Sequence, residues 1–145
     1  MIRLYSGDDE TAVMDIWYRA AVLGHPFIDV SYWDKNSGAV RDVYLPSSRT
    51  FVFEDKGRLA GFISLIEEKF IGALFVDPDF QRRGIGRALL TYARDGRKTL
   101  RLNVYAENTN AVNFYLKNGF KVTAERTDTE TGCAEKQMTW NEPQI

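Results

Sequence analysis

Gln81-Arg82-Arg83-Gly84-Ile85-Gly86-Arg87-Ala88 lies between an apolar run, Ala73 to Val76, that reads as a strand, and an amphipathic helical stretch, Ile85 to Arg94. A strand that feeds a Gly-rich turn into a helix makes an anion cradle. Gly84 and Gly86 let the backbone approach a ligand with no Cβ in the way, so that several N–H groups point at phosphate oxygens beside the positive end of the helix. Arg82, Arg83 and Arg87 add positive charge there. A P-loop would end in Gly-Lys-Ser/Thr, and here Arg87 and Ala88 follow Gly86; a dinucleotide-binding fingerprint would need a third Gly or Ala where this chain has Leu89. Two readings remain open, a phosphate loop of the form Gln-x-x-Gly-x-Gly and an ordinary strand-to-helix turn with solvated basic residues.

A second constellation follows. Asn103-Val104-Tyr105 precedes Asn108, Ala111, Phe114, Tyr115, Gly119 and Phe120, in the pattern Asn-x-x-Ala-x-x-Phe-Tyr-x-x-x-Gly-Phe. Asn108 can cap a helix, Ala111, Val112, Phe114 and Tyr115 recur at helical spacing, and Gly119 supplies a left-handed stop. These features explain a helix without explaining why it follows a Gly-rich loop in this order.

Outward from the two motifs the chain alternates strand and helix signals. Ile2 to Tyr5 reads as a strand, and Asp8 to Ala21 as a helix with Val13, Ile16, Trp17 and Ala20 on one face. A second helix is expected from Tyr32 to Tyr44, stopping before Pro46. Phe51 to Phe53 pairs through the turn Glu54-Asp55-Lys56-Gly57 with Leu59 to Ile66, and Phe70 to Val76 adds a strand. Thr99 to Tyr105 is a strand, Thr109 to Asn118 a helix, and Phe120 to Ala124 and Lys136 to Trp140 a closing antiparallel pair. Strands that first form a meander and are then separated by helices predict an α/β (α+β) fold with a mixed sheet covered on both faces.

Composition bounds the rest. The 145 residues, 44% hydrophobic and 27% charged, suit one core, and a single domain over 1–145 is expected. A net charge of -1 gives no global attraction to nucleic acid or to an anionic membrane, and no apolar run approaches the roughly 20 residues of a membrane helix. The amino terminus carries no charged-then-apolar leader and Cys133 has no partner for an internal disulfide, so a cytoplasmic setting is expected. One His, one Cys and scattered carboxylates lack the spacing of a metal site, and no metal is expected.

The loop and the Asn108 to Phe120 pattern, in this order and at this separation, resemble the two acetyl-CoA motifs of the GCN5-related N-acetyltransferases, the GNAT family. Gly24-His25-Pro26-Phe27-Ile28, Tyr32-Trp33, Val40-Arg41-Asp42, Tyr44-Leu45 and Phe70 are further similar to the bacterial YiaC-type branch, whose members are assigned as protein lysine or amino-terminal acetyltransferases. The resemblance spans almost the whole chain and implies a mainly antiparallel central sheet with acetyl-CoA as cosubstrate. It implies that the backbone of Leu74, Phe75 and Val76 pairs with the pantetheine arm. Loop amides from Gln81, Arg82, Arg83, Gly84, Ile85, Gly86 and Arg87 would hold the pyrophosphate, and Asn108 would contact the pantetheine. The expected acceptor is a protein or peptide amine, lysine or α-amino, with a small amine, or a non-catalytic acyl-CoA sensor, as alternatives. Monomer and homodimer both stay open.

The chemistry sets what other residues must do. The attacking amine must be neutral; a lysine with a pKa of ~10.4 is mostly protonated at neutral pH, an α-amine near ~8 much less so. Tyr115 matches the family tyrosine that protonates the departing thiolate, and by pattern alone it could simply pack beside Phe114. Glu67 and Glu68 adjoin before Phe70, and strand alternation would turn one of them to the cleft. Glu68 is the candidate base, acting directly or through water; a Glu-Glu-Lys run is more often a solvated turn between strands. His25, held extended before Pro26, is expected at the cleft mouth as a substrate contact or a structural residue, with the role of base behind both. Phe27 and Phe70 are the candidate substrate-side aromatics.

Overall fold

The structure, a computed structural model, describes residues 1–144. In chain order it contains β1 (Ile2–Leu4), a 3-10 turn Gly7–Asp9, α1 (Glu10–Gly24) and α2 (Val30–Ala39). A π-helical turn, Val40–Tyr44, leads into the single-turn α3 (Leu45–Ser47), followed by β2 (Arg49–Asp55), β3 (Arg58–Ile66), β4 (Phe70–Val76) and a 3-10 turn Pro78–Phe80. The rest is α4 (Ile85–Arg94), β5 (Thr99–Tyr105), α5 (Thr109–Lys117), β6 (Lys121–Thr127) and β7 (Ala134–Asn141).

The seven strands form one sheet in the order β1-β2-β3-β4-β5-β7-β6. All neighbours are antiparallel except β4 and β5. The expected mixed, mainly antiparallel sheet is present, and helices cover both faces. On one face Val13, Ile16, Trp17 and Ala21 of α1 and Trp33 of α2 pack on Val52, Leu59 and Phe62. On the other, Ile85, Leu89, Leu90 and Ala93 of α4 and Tyr115 of α5 pack on Ile63, Leu65, Leu100 and Leu102. Alternation along each strand sends neighbouring apolar residues to opposite layers, which is why β3 reads as a nearly unbroken apolar run. Gly61 in that run lets α4 come close: a Cβ there would lie 2.9 Å from the Phe75 carbonyl oxygen and 3.2 Å from Ile85.

Two expectations are corrected. The second helical stretch does not stop before Pro46; it passes through the π-turn, in which the Leu45 N–H donates to the Val40 carbonyl five residues back, and ends one residue after the proline, at Ser47. Glu67 and Glu68 are not strand residues. Both are left-handed, with φ of 54° and 63°, and form the tight turn between β3 and β4.

Candidate active site

Strands β4 and β5 share one registered step, Phe70 with Arg101, supported by the Arg101 N–H donating to the Lys69 carbonyl at 2.9 Å. From there they part. β4 stays bonded to β3, and β5 to β7 along its whole length, so only their facing edges lose partners. The resulting cleft, about 160 Å³, has Ile71 to Phe75 on one wall and Leu102 to Tyr105 on the other. The Asp77 N–H donates to the Ala60 carbonyl at 2.8 Å, so alternation turns the N–H groups of Val76 and Leu74 the other way, toward the open edge. Half-buried backbone donors without partners suit a ligand that carries amide groups of its own.

The parting begins at a bulge. Ser64 pairs with Ala73 and Leu65 with Ile71, leaving Gly72 as the extra residue. The bulge resets the alternation, so that Ile71 packs with the α4 layer while Ala73 and Phe75 pack with the α1 layer. A Cβ on Gly72 would lie 2.9 Å from Ile66 Cδ1. A lone glycine inside an apolar strand was the sequence signal for this bulge, and the sequence reading passed over it.

Beyond β4 the chain turns into the Gly-rich loop. Asp77 accepts from the Asp79 N–H at 2.8 Å and receives both terminal nitrogens of Arg19, at 3.1 and 2.7 Å, which ties the start of the loop to α1. Gly84, at φ 77°, caps α4, and the first helical bond is Ala88 N–H to Gly84 O at 3.0 Å. The N–H groups of Ile85, Gly86 and Arg87 precede that bond and have no acceptor within the helix. Ile85 is buried and anchors the helix start, whereas Gln81, Arg82, Arg83, Gly84 and Arg87 are exposed. Among the described residues Arg82, Arg83 and Arg87 join no ion pair, and Arg83 lies over the Phe80 ring at 5.1 Å. Three unpaired cations, a row of free N–H groups and a helix start form a strongly anion-attracting surface.

On the far wall the Asn108 side chain caps α5 by accepting the Ala111 N–H at 3.2 Å, as the sequence predicts. Asn108, Ala111 and Tyr115, at helical spacing, all line the cleft. Tyr115 is 8% exposed and packs edge-on against Phe114 and Phe120. Its hydroxyl bonds to no protein group among the described residues, and burial pushes its pKa above the usual tyrosine value, so it stays a proton donor. Tyr105 also lines the cleft, but its hydroxyl already donates to the Asp128 carboxylate. Glu135 is the carboxylate that reaches this wall, bonded to Arg126 at 2.7 Å; the sequence reading missed it because no motif marks the residue that pairs across from Tyr105.

The remaining candidates separate. Glu68, proposed as the base, is exposed in its turn and ion-paired with Arg49 at 3.1 Å and with Arg97. Those arginines hold its carboxyl below the usual range, and it lines neither the cleft nor the pocket beside it. This corrects the base assignment: the glutamate pair is a turn, and strand alternation does not apply to it. His25 is not at an open cleft mouth; it is 7% exposed, closes the carboxyl end of α1 and lines the inner cleft. Phe27 packs on His25 and Tyr105 and lines neither cavity. Phe70 stands in a second cavity, of about 230 Å³, on the α1 side of β4. Val13, Trp17, Leu45, Phe62 and Ile66 also line it, with Ser48, Ser64 and Tyr44 as its polar members. Gly72 and Ala73 line both cavities.

A sheet opened between a bulged strand and its parallel neighbour, with a Gly-rich anion loop at the end of the bulged strand, can hold a long pantetheine-like ligand by its amides and its diphosphate. Residues 30–142 match the family model described as "Acetyltransferase (GNAT) domain". The chain belongs to the GNAT family. It is therefore an acyltransferase, and acetyl-CoA is the cosubstrate that the cleft suits. The chain is 38% identical over 140 residues to peptidyl-lysine N-acetyltransferase YiaC of Escherichia coli, covering 97% of this chain and 96% of that one. It is 34% identical to peptidyl-lysine N-acetyltransferase YjaB of Salmonella typhimurium, covering 90% of each. The solution structure of the apo form of YjaB from Escherichia coli superposes with a TM-score of 0.84 at 29% identity, covering 97% of this chain and 96% of that one. No described helix is long and apolar enough to cross a membrane.

Proposed function

We propose that the chain acetylates lysine side chains of proteins by direct attack of the amine on acetyl-CoA held in the cleft. The observation that carries this reading is the meeting of the two cavities at Gly72 and Ala73. Acetyl-CoA in the cleft would bring its thioester toward the junction, and an acceptor entering past Phe70 reaches the same two residues from the other face. The acceptor cavity has no Asp, Glu, Lys, Arg or His in its lining. Such walls accept a lysine's methylenes and favour the neutral amine by withholding water. They offer nothing to a polycation, which needs carboxylates. The peptidyl-lysine activity in the names of two relatives at 34% and 38% identity supports the same acceptor class.

In this reading the Val76 or Leu74 N–H, on the open edge of β4, stabilises the charge that develops on the thioester oxygen; as the C–S bond breaks the Tyr115 hydroxyl protonates the departing sulfur, and the proton shed by the nitrogen as it becomes an amide restores that hydroxyl. Neither Glu68 nor buried His25 takes the ammonium's proton; desolvation lowers its pKa, and the proton is left to solvent as the side chain enters the cavity. Loop N–H groups from Gln81 to Arg87 hold the diphosphate, and Arg82, Arg83 and Arg87 neutralise it. A cytoplasmic setting fits Cys133, a free thiol.

The test is release of CoA thiol from acetyl-CoA with three acceptors: a lysine peptide blocked at its amino terminus, a lysine-free peptide with a free amino terminus, and spermidine. Turnover is expected with the first above the other two. Turnover with spermidine alone, or with the α-amine alone, overturns the lysine reading while leaving the family assignment in place.

A further inference from the structure

His25, the only histidine in the chain, has both ring nitrogens engaged. Nδ1 lies 2.7 Å from the Ala21 carbonyl oxygen, which can only accept, so Nδ1 carries the proton. Nε2 is then the acceptor, 3.2 Å from Nδ2 of Asn108, a residue 83 positions away in the chain. With Nδ2 committed as donor, Oδ1 of the same amide faces α5 and accepts the Ala111 N–H at 3.2 Å. The four groups form one line in which every donor meets an acceptor, and only the neutral ring completes it. Trp33, Tyr105 and Phe27 surround the imidazole, with ring centroids at 5.0, 5.5 and 5.6 Å.

We propose that His25 is the positioning residue for Asn108, fixing which end of the asparagine amide faces α5 and thereby setting the wall of the acetyl-CoA cleft that continues into Tyr115. The proposal rests on the reading of this cleft as the acetyl-CoA site. An asparagine amide is nearly symmetric in shape, so its orientation is chosen by its hydrogen-bond partners, here the Ala111 N–H on one side and the Nε2 acceptor on the other. Without Nε2 the Nδ2 group loses its partner, the amide can turn, and a turned amide presents a donor to the Ala111 N–H, which uncaps the helix that carries Tyr115. His25 touches no reacting atom in this arrangement; it acts through Asn108.

The test compares His25→Gln, His25→Phe, Asn108→Ala and the double variant His25→Phe with Asn108→Ala, measuring KM for acetyl-CoA and for a lysine peptide, with thermal unfolding as the control for folding. His25→Phe keeps an aromatic ring and loses both bonds, while His25→Gln can place an amide oxygen where Nε2 accepts. The expected result is an acetyl-CoA KM raised about 10-fold in His25→Phe, the size of one lost hydrogen bond, with the peptide KM unchanged. The double variant is expected to be no worse than Asn108→Ala, and His25→Gln to recover most of the loss. Full additivity in the double variant overturns the proposal, as does a His25→Gln protein no better than His25→Phe, because either means that His25 acts without Asn108. An Asn108→Ala protein with unchanged acetyl-CoA KM removes the premise instead, and with it the assignment of this wall to the cosubstrate.

Discussion

Phe70 and Arg101 are the one registered pair that β4 and β5 hold in common, and the two strands part from that step. Phe70 itself lines the cavity proposed for the acceptor, while Ile71, the next residue, lines the cleft proposed for acetyl-CoA. The bulge residue Gly72 and its neighbour Ala73 then face both. In the proposed reaction the sheet is thus a partition, thinnest at Gly72, across which the amine and the thioester would meet.

Tyr115→Phe removes the hydroxyl and keeps the ring packed against Phe114 and Phe120. Turnover is expected to fall by roughly 10²-fold, the lower end of what a general acid contributes, with acetyl-CoA affinity by calorimetry unchanged. Because burial pushes the hydroxyl pKa above the usual tyrosine value of about 10, wild-type kcat should show no loss as pH rises toward 10. A decline with a midpoint near 9 would contradict the acid role as drawn here.

Arg83→Ala combined with Arg87→Ala strips two unpaired cations from the loop without touching a helix bond. Each exposed cation–phosphate pair contributes on the order of 0.5–1 kcal/mol at low salt, so acetyl-CoA Kd should rise about 5- to 30-fold. The difference between wild type and variant should shrink at 0.5 M salt, because exposed charges are screened. A salt-independent loss would mean that the loop had been deformed instead.

Gly72→Val tests the partition. Its Cβ would collide with Ile66, and the side chain would enter the junction of the two cavities, so a stability loss of about 1–3 kcal/mol in urea is expected, as for overpacking. The activity loss should exceed what the unfolded fraction explains. Activity retained in proportion to folded protein would show that the junction is not where the reactants meet.

Arg19→Leu leaves the buried Asp77 carboxylate with Arg58, 3.6 Å away, as its remaining cation. A loss of roughly 2–3 kcal/mol is expected, below the ~3–5 kcal/mol for fully breaking a buried pair, because Arg58 stays and Arg19 is partly exposed.

The wild-type pH dependence carries two contributions of the same sign from groups near the site, both lost as pH falls. Arg19 holds the Asp77 carboxyl below its usual pKa, so its contribution is present above the ordinary value near 3.9 and is lost as pH falls through the folded value. Burial lowers the pKa of His25, so below about 6.5 the unfolded chain takes up a proton that the folded chain refuses. Stability should therefore start to fall below pH 6.5, and His25→Gln should flatten that first segment of a urea-midpoint profile. A profile with the same slope in the variant would assign the segment to other groups.

Much of the site was legible because its signals are local. Gln81 to Arg87 needs only a strand before it, a glycine at the helix start and a helix after it, and all three are written in consecutive residues. Asn108 caps α5 through a bond three residues away, and the faces of α1, α4 and α5 follow from a 3.6-residue period. Glu68 was misread for the same reason in reverse: two adjacent non-glycine residues in the left-handed region are rare enough that an apolar strand pattern on either side hides the turn. The elements, the Gly-rich loop and the Asn108 to Ala111 cap bond were therefore written in local residue order. Where β4 leaves β5, that Gly72 opens onto two cavities, and that His25 meets Asn108 across 83 residues came only with the folded chain. Those depend on registers and contacts between distant segments, where one residue's slip exchanges the two faces of a strand, and no local propensity encodes that choice.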